Sequence, residues 1–390
     1  MLKYFIYEAM FAAEQGGPSM PPLTVMIKPV SSACNMRCRY CFYTDVAHNR
    51  QQASLGRMSD ETLEHVVRKA MRYADGYVSF VFQGGEPSLA GAAFYETFLS
   101  YQRKYNTRNL PVQNAIQTNG YQLDESLLDL LAREHFLVGV SFDGTPQLHD
   151  RLRVDADDRG TSAAVEATIQ RLEERGVEFN ILCVVNCHVA RHPRETFQYL
   201  KKYRYLQYIA CLDDLDGTPS PHSLTAEDYT TFLKESFDLY YQAFRQGRPV
   251  SIRNFDNYLV ILMGGQPENC AMSGRCAQYY LIEADGGVYP CDFYVLDHLR
   301  MGNIREDSFF KLEKSPVAAA FRSASLHSDP ACQSCRWFTL CRGGCRRDRE
   351  PALGNQAGLN KWCSCYQALF EYAYPRMMEM AQAISTSGWR

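Results

Sequence analysis

The chain of 390 residues contains no apolar run of roughly 18 residues, the length a transmembrane helix needs, so no membrane span is expected. It has no surplus of either charge: 41 Lys and Arg stand against 44 Asp and Glu, a net of −3. A field that small steers neither nucleic acid nor an anionic membrane, and neither is expected as a partner. There is no internal repeat and no low-complexity segment. With 46% apolar and 22% charged residues, the composition excludes a disordered chain and allows a sizeable core. Its 15 cysteines are too sparse for a small disulfide scaffold, and an odd number cannot all pair internally. Their positions are more telling. They crowd between Cys34 and Cys41 and between Cys270 and Cys365, with only Cys183, Cys187 and Cys211 in between. Spacings such as Cys-x2-Cys bring thiolates round one centre, and free thiolates suit a reducing cytoplasm. The first 19 residues are apolar but carry Glu8, which makes them a poor export signal.

From residue 23 onward, apolar strands alternate with helical stretches. Segments 23–30, 77–82, 112–117, 136–142, 177–185 and 206–212 read as strands, and helices are predicted over 60–71, 92–104, 125–134, 162–174 and 193–203. This alternation predicts an α/β fold: a parallel sheet curled into an open, partial (β/α)6 barrel with its active loops at the strands' carboxyl ends. A long helix follows over 226–246. A hairpin over 277–289 then turns at Asp285-Gly286-Gly287. Beyond residue 301 the chain is loop-rich and cysteine-dense, which calls for metal centres in place of a core, and an apolar helix over 368–384 ends it. The expected organisation is an extension over 1–19, a barrel domain over 20–235, a cluster-binding domain over 236–367 and a terminal helix over 368–390.

Cys34-x3-Cys38-x2-Cys41 follows the first strand, on a strand-end loop. Three thiolates so spaced can hold three corners of a [4Fe–4S] cluster and leave the fourth iron open. A three-thiol zinc site or unligated core cysteines are the alternatives, although zinc wants four ligands and the nearest histidine is His48. The run Cys34-Asn35-Met36-Arg37-Cys38-Arg39-Tyr40-Cys41, with Gly84-Gly85-Glu86-Pro87 after strand two and Gln117-Thr118-Asn119-Gly120 after strand three, resembles the radical SAM superfamily. The resemblance implies S-adenosylmethionine on a [4Fe–4S] cluster held by Cys34, Cys38 and Cys41. It also implies hydrogen abstraction by a 5′-deoxyadenosyl radical, with the protein positioning the reactants and excluding water. Tyr40, Gly84, Gly85 and Glu86 belong to these cofactor motifs, whose glycines let backbone carbonyls approach the methionine ammonium.

Cys270, Cys276 and Cys291 bracket the hairpin, and Cys332, Cys335, Cys341, Cys345 and Cys363 follow. Eight thiols suffice for two closed cubanes, and two or more zinc sites fit the spacing about equally. The segment is similar to the SPASM domain of peptide-modifying radical SAM enzymes, which carries two auxiliary [4Fe–4S] clusters. Carried over, that likeness assigns Cys270, Cys276, Cys291 and Cys345 to one auxiliary cluster and Cys332, Cys335, Cys341 and Cys363 to the other. Cys183, Cys187, Cys211 and Cys365 are left as bystanders.

Further runs, among them Ile27-Lys28-Pro29, Cys41-Phe42-Tyr43, the Gln83 to Pro87 stretch and Tyr289-Pro290-Cys291-Asp292-Phe293-Tyr294, resemble anaerobic sulfatase-maturating enzymes. The likeness implies oxidation of a Ser or Cys side chain in an unfolded or nascent sulfatase polypeptide to Cα-formylglycine, with a one-electron donor such as flavodoxin or ferredoxin. That reaction removes a hydrogen atom, a proton and an electron; the family's base matches Asp292, and an auxiliary cluster is a reasonable electron acceptor. An aspartate bonding the cluster-loop backbone is the plainer reading of Asp292. Tyr43 and Gln83 match polar residues near the family's substrate, with core packing an equal alternative. Ser141, Arg153 and Leu212 match contacts to the nucleoside, Arg153 as a carboxylate partner where a surface arginine is the alternative. Residues 1–19 have no counterpart and read as an upstream start of the reading frame, an interaction arm or a peptide occupying the cleft. Two other functions compete: a thioether or carbon–carbon crosslink in a ribosomal peptide, and a non-catalytic electron carrier, which an open-iron motif disfavours.

Overall fold

A computed structural model describes residues 22–276, 279–350, 352, 354 and 356–387; the expected extension over 1–19 lies outside the described residues. Strands β1 (Leu23–Ile27), β2 (Val78–Phe82), β3 (Val112–Thr118), β4 (Leu137–Ser141), β5 (Phe179–Val185) and β6 (Tyr205–Ala210) lie side by side in chain order, every pair parallel. The helices between them start where local chemistry predicts. Ser59, for example, caps Asp60–Tyr73 by accepting from the Thr62 N–H at 3.2 Å. Burial alternates along β1 and β2. Leu23, Val25, Ile27, Val78, Phe80 and Phe82 are packed in the core, while Thr24, Met26, Ser79 and Val81 line an interior cavity. The barrel is open, as expected.

The sheet is wider than six strands. A short β7 (Ser251–Ile252) adds to β6, and the hairpin of β8 (Tyr280–Ile282) and β9 (Gly287–Tyr289), extended by β10 (Gly302–Asn303), joins the opposite edge. β8 runs parallel to β1, with Val25 opposite Tyr280 and Ile27 opposite Ile282. The hairpin therefore continues the barrel sheet and covers the edge that β1 would otherwise expose. β1 stops at Ile27, short of the expected residue 30: Pro29 has no N–H to donate, and Ser31 takes a φ of 52°. The junction is locked by charge. Lys28 Nζ and Arg50 Nη1 reach Glu283 Oε1 at 3.0 and 2.8 Å, and all three side chains are almost fully buried.

The last helix spans Cys363–Ser387 and so starts at a cysteine, earlier than the expected residue 368. It packs on helices Ala226–Arg245 and Arg253–Leu262, with the Phe370 ring edge-on to Tyr258 at 4.9 Å. Within the stretch expected to be loop-rich, Pro316–Ser325 forms a helix, with Ser315 as its cap and proline in its first turn. Among the described residues, no helix is long and apolar enough to cross a membrane.

Replacing Glu283 by alanine leaves two cations buried without a counter-charge and should cost about 3–5 kcal/mol, read as a lower urea midpoint. Burial alone would raise the Glu283 carboxyl, but Lys28 and Arg50 outweigh it and hold the group below its usual range. The folded-state value is thus depressed. The stabilisation is present at neutral pH and fades as the pH falls through that depressed value, so the gap between Glu283→Ala and the parent should narrow in acid. Urea titrations over a pH series check both.

Candidate functional site

The Cys34–Cys41 loop leaves the carboxyl end of β1 and feeds helix Phe42–His48. The Gly-Gly-Glu-Pro loop braces it: Glu86 N–H donates to Ala33 O at 2.7 Å. Gly85 has a φ of 52°, and a Cβ there would lie 2.3 Å from Ala33 O; at Gly84 it would lie 2.2 Å from Lys28 Cε. No side chain fits at either position. The buried Glu86 carboxylate accepts from Thr118 Oγ1 and the Asn119 N–H, both at 2.7 Å, and from the Ser88 N–H at 2.9 Å, so it ties two strand-end loops together. Asn119 in turn donates to Asn35 Oδ1 at 2.8 Å and faces Cys34 Sγ at 3.7 Å.

The three thiols of this loop lie within electrostatic reach of one another. Burial pushes the Cys34 thiol up to about 11 and the Cys38 thiol up to about 12, the latter against the pull of Arg153. Such thiols do not ionise alone at neutral pH; a cationic iron centre would draw their protons off. The donor set fits the three-cornered cluster.

Next to it, Asp143 forms a node that sequence reasoning missed. Its Oδ2 accepts from Arg153 Nε at 2.9 Å and from the Tyr40 hydroxyl, and its Oδ1 from the Val184 N–H at 2.8 Å. Burial keeps His149 neutral, accepting at Nδ1 from the Asp143 N–H at 3.3 Å and meeting Thr161 Oγ1 at 3.0 Å. Thr161 then bonds Arg153 O at 2.9 Å, so Arg153 is held from both ends, 3.9 Å from Cys38 Sγ. The available signal was an aspartate directly after an apolar strand, in Phe142-Asp143-Gly144.

Tyr40, Gly84, Gly85, Glu86, Ser141, Arg153 and Leu212 line one cavity of about 2140 Å³, together with Tyr43, Gln83 and Asp292. Small-molecule sites typically span ~300–1,000 Å³, so this one has room for a cofactor and a polypeptide segment. Asp292 is 6% exposed. Its Oδ2 faces Gln83 Nε2 at 3.3 Å and the Tyr43 hydroxyl at 3.4 Å, and Gln83 donates to Tyr43 at 2.7 Å. Its Oδ1 accepts from the Tyr279 hydroxyl at 2.5 Å. Burial, with Asp292 beside them, pushes both phenols well above their ordinary value, so both stay protonated donors. Tyr279 was also missed. Its signal was register: Leu281 pairs with Tyr289, so counting outward from the hairpin turn sets Tyr279 opposite Cys291.

The remaining thiols fall into two groups. Cys345 lies with Cys270 and Cys276 and beside Cys291, whereas Cys341 lies with Cys332, Cys335 and Cys363. The second group rings a small recess closed by Trp337, Tyr366 and Phe370. Among the described residues, no three His, Cys, Asp or Glu side chains close round a point as a single ion requires. Cys183, Cys211 and Cys365 are buried outside these groups, and Cys187 packs near Pro221 O at 3.9 Å.

An open parallel barrel with a three-thiol loop, joined to a segment whose thiols fall into two groups, defines a radical SAM protein with an auxiliary iron–sulfur domain. Family models agree: the radical SAM superfamily matches residues 29–200 and an iron–sulfur cluster-binding domain matches 270–336. The chain is 44% identical over 369 residues to a cysteine-type anaerobic sulfatase-maturating enzyme of Clostridium perfringens strain 13, covering 94% of this chain and 100% of that one. A serine-type enzyme of Bacteroides thetaiotaomicron is 29% identical, covering 92% and 91%. The solved structure of native anSMEcpe with bound AdoMet and Cp18Cys peptide superposes with a TM-score of 0.89 at 43% identity, covering 93% of this chain and 100% of that chain. The chain belongs to the anaerobic sulfatase-maturating enzymes, and its cofactors are S-adenosylmethionine and [4Fe–4S] clusters.

The thiol grouping makes a specific forecast. Cys345→Ala should remove the same auxiliary cluster as Cys270→Ala and spare the one lost in Cys363→Ala. Iron content with Mössbauer and EPR spectra of the three reconstituted variants checks it; a Cys345→Ala spectrum matching Cys363→Ala contradicts the grouping.

Proposed function

We propose that this enzyme oxidises the side chain of a cysteine in an unfolded or nascent sulfatase polypeptide to Cα-formylglycine, acting in the cytoplasm with a one-electron donor such as flavodoxin or ferredoxin. One observation carries the reading. Asp292, Tyr43 and Gln83 converge in the cavity that also takes in the Cys34–Cys41 loop, in a chain 44% identical to a cysteine-type enzyme over 369 residues. The lower identity to the serine-type relative, 29%, supports cysteine as the preferred target.

In this reading Cys34, Cys38 and Cys41 would hold the cluster that binds S-adenosylmethionine. Gly84 and Gly85 would offer backbone to its methionine, Arg153 would take its carboxylate, and Ser141 and Leu212 would flank the nucleoside. When bound, that cofactor supplies a carbon-centred radical able to take a hydrogen atom from the substrate Cβ. The chain's own residues do the rest. Asp292 accepts the proton of the substrate thiol, while Tyr43 and Gln83 orient its Oδ2 toward the cavity. Cys270, Cys276, Cys291 and Cys345 would hold the auxiliary cluster that accepts the remaining electron, and Cys332, Cys335, Cys341 and Cys363 the other one. Loss of the hydrogen atom, the proton and the electron leaves a thioaldehyde, which water hydrolyses to the aldehyde with release of hydrogen sulfide. The domain division follows the same logic: a barrel domain over 20–235, a cluster domain over 236–367 and the closing helix.

The test is reconstituted enzyme with S-adenosylmethionine, reductant and a peptide containing Cys-x-Pro-x-Arg. A mass change for aldehyde formation, with 5′-deoxyadenosine released, is expected; 5′-deoxyadenosine without peptide oxidation points to a different substrate. Asp292→Asn should lower turnover by about 10²–10⁴-fold, the usual worth of a positioned base. Wild-type turnover in that variant would remove Asp292 from the mechanism.

A further inference from the structure

We infer that Tyr279 is a positioning residue that joins the carboxylate of Asp292 to a cluster-ligating sulfur, that of Cys291. The inference rests on the base role proposed for Asp292. The Tyr279 hydroxyl stands 2.5 Å from Asp292 Oδ1 and 3.3 Å from Cys291 Sγ, and the Asp292 N–H donates back to it at 3.3 Å. A phenol has a single proton to give, and the two acceptors within its reach are the carboxylate oxygen and the sulfur, while its own oxygen accepts from the Asp292 N–H. The two carboxylate oxygens therefore have separate duties. Oδ2 faces Tyr43 and Gln83 on the cavity side, while Oδ1 is held from the cluster side by Tyr279. Fixing Oδ1 sets the plane of the carboxylate and so the direction in which Oδ2 presents its lone pairs to the cavity.

Contact with sulfur adds a second consequence. Hydrogen bonds to cluster sulfurs compensate the negative charge that arrives on reduction and raise the reduction potential. One hydroxyl thus touches the group that takes the proton and a ligand of the centre that takes the electron. A tyrosine serving only as packing would give neither effect: with its hydroxyl removed, the ring would fill the same space and the potential would not move.

The experiment uses the full reconstituted chain. In an EPR-monitored redox titration without substrate, Tyr279→Phe should shift the auxiliary cluster to a more negative potential. Tyr280→Phe, at the next residue along the chain and the first of β8, should leave it in place. Replacing Tyr279 by 3-fluorotyrosine, a stronger donor of the same shape, should shift it the opposite way and decides the matter alone if Tyr279→Phe binds too little iron to titrate. With peptide, Tyr279→Phe should lower kcat at least about tenfold at an unchanged KM. An unmoved potential in every Tyr279 replacement that can be titrated overturns the sulfur bond; an unchanged kcat overturns the positioning of Asp292. The potential is read without substrate. A shifted potential in a protein whose parent oxidises no sulfatase peptide would sustain the sulfur bond and sink the sulfatase reading instead.

Discussion

Pairing of Val25–Ile27 with Tyr280–Ile282 is the constraint on which the site depends. β1 delivers the Cys34–Cys41 loop from its carboxyl end, and the hairpin on its edge delivers Asp292, so the two sides of the proposed site hang from one strand. Register is the sensitive variable. A slip of two residues along the strand moves the hairpin by about 6.5–7 Å, and Asp292 keeps its neighbours Gln83 and Tyr43 at 3.3 and 3.4 Å. A slip of one residue turns every side chain to the opposite face. The buried Lys28–Glu283–Arg50 cluster guards against both, because any other register leaves a charge buried without its partner. Buried ion pairs are poor sources of stability, but specifying register is the use for which they are best attested.

Away from this junction, regular structure thins and polar ties take over. Arg347 donates to the carbonyls of Asp213 and Asp214 at 2.6 and 2.9 Å, linking the cluster domain to the loop beyond β6. Arg349 bridges the carbonyls of Ser325 and His327 at 2.8 and 2.7 Å, and Tyr294 donates to Glu350 at 2.6 Å. These bonds gather the loops around thiols that burial raises, Cys270 and Cys341 each up to about 11. Iron binding to such thiols removes their protons, which couples cluster assembly to the folding of these loops.

Much of this was legible in the sequence, for identifiable reasons. The cysteine loop, the Gly84-Gly85 bend and the β/α alternation are local patterns with local causes. The pairing of Cys345 with Cys270, Cys276 and Cys291 came from family resemblance, since spacing along the chain favours the nearer Cys341. Asp143 and Tyr279 escaped because their roles arise from tertiary neighbours: Asp143 from Arg153 and Tyr40, Tyr279 from Cys291 and Asp292. The wider sheet escaped for a similar reason. A hairpin announces its own turn but not the edge it will join, and that edge lies more than 250 residues back in the chain.

The inner face of the barrel sheet carries the other half of the design. Small parallel barrels ordinarily fill their interior with branched apolar side chains. Here the inward positions include Thr24, Ser79, Gln117, Ser141, Asn180 and Gln207, all lining the cavity. Gln117 reaches Ser141 Oγ at 3.4 Å, and a Cβ on Gly139 would lie 2.1 Å from Gln117 Oε1. That glycine makes room for an amide that polar chemistry needs and packing does not. The apolar density lost inside is offset on the outer face, where Phe80, Phe82, Phe98 and Tyr95 interlock edge to face at about 5 Å. A sheet whose stability comes from one face is free to leave the other polar and unfilled, and that inner face is where a radical and a polypeptide must meet without water between them.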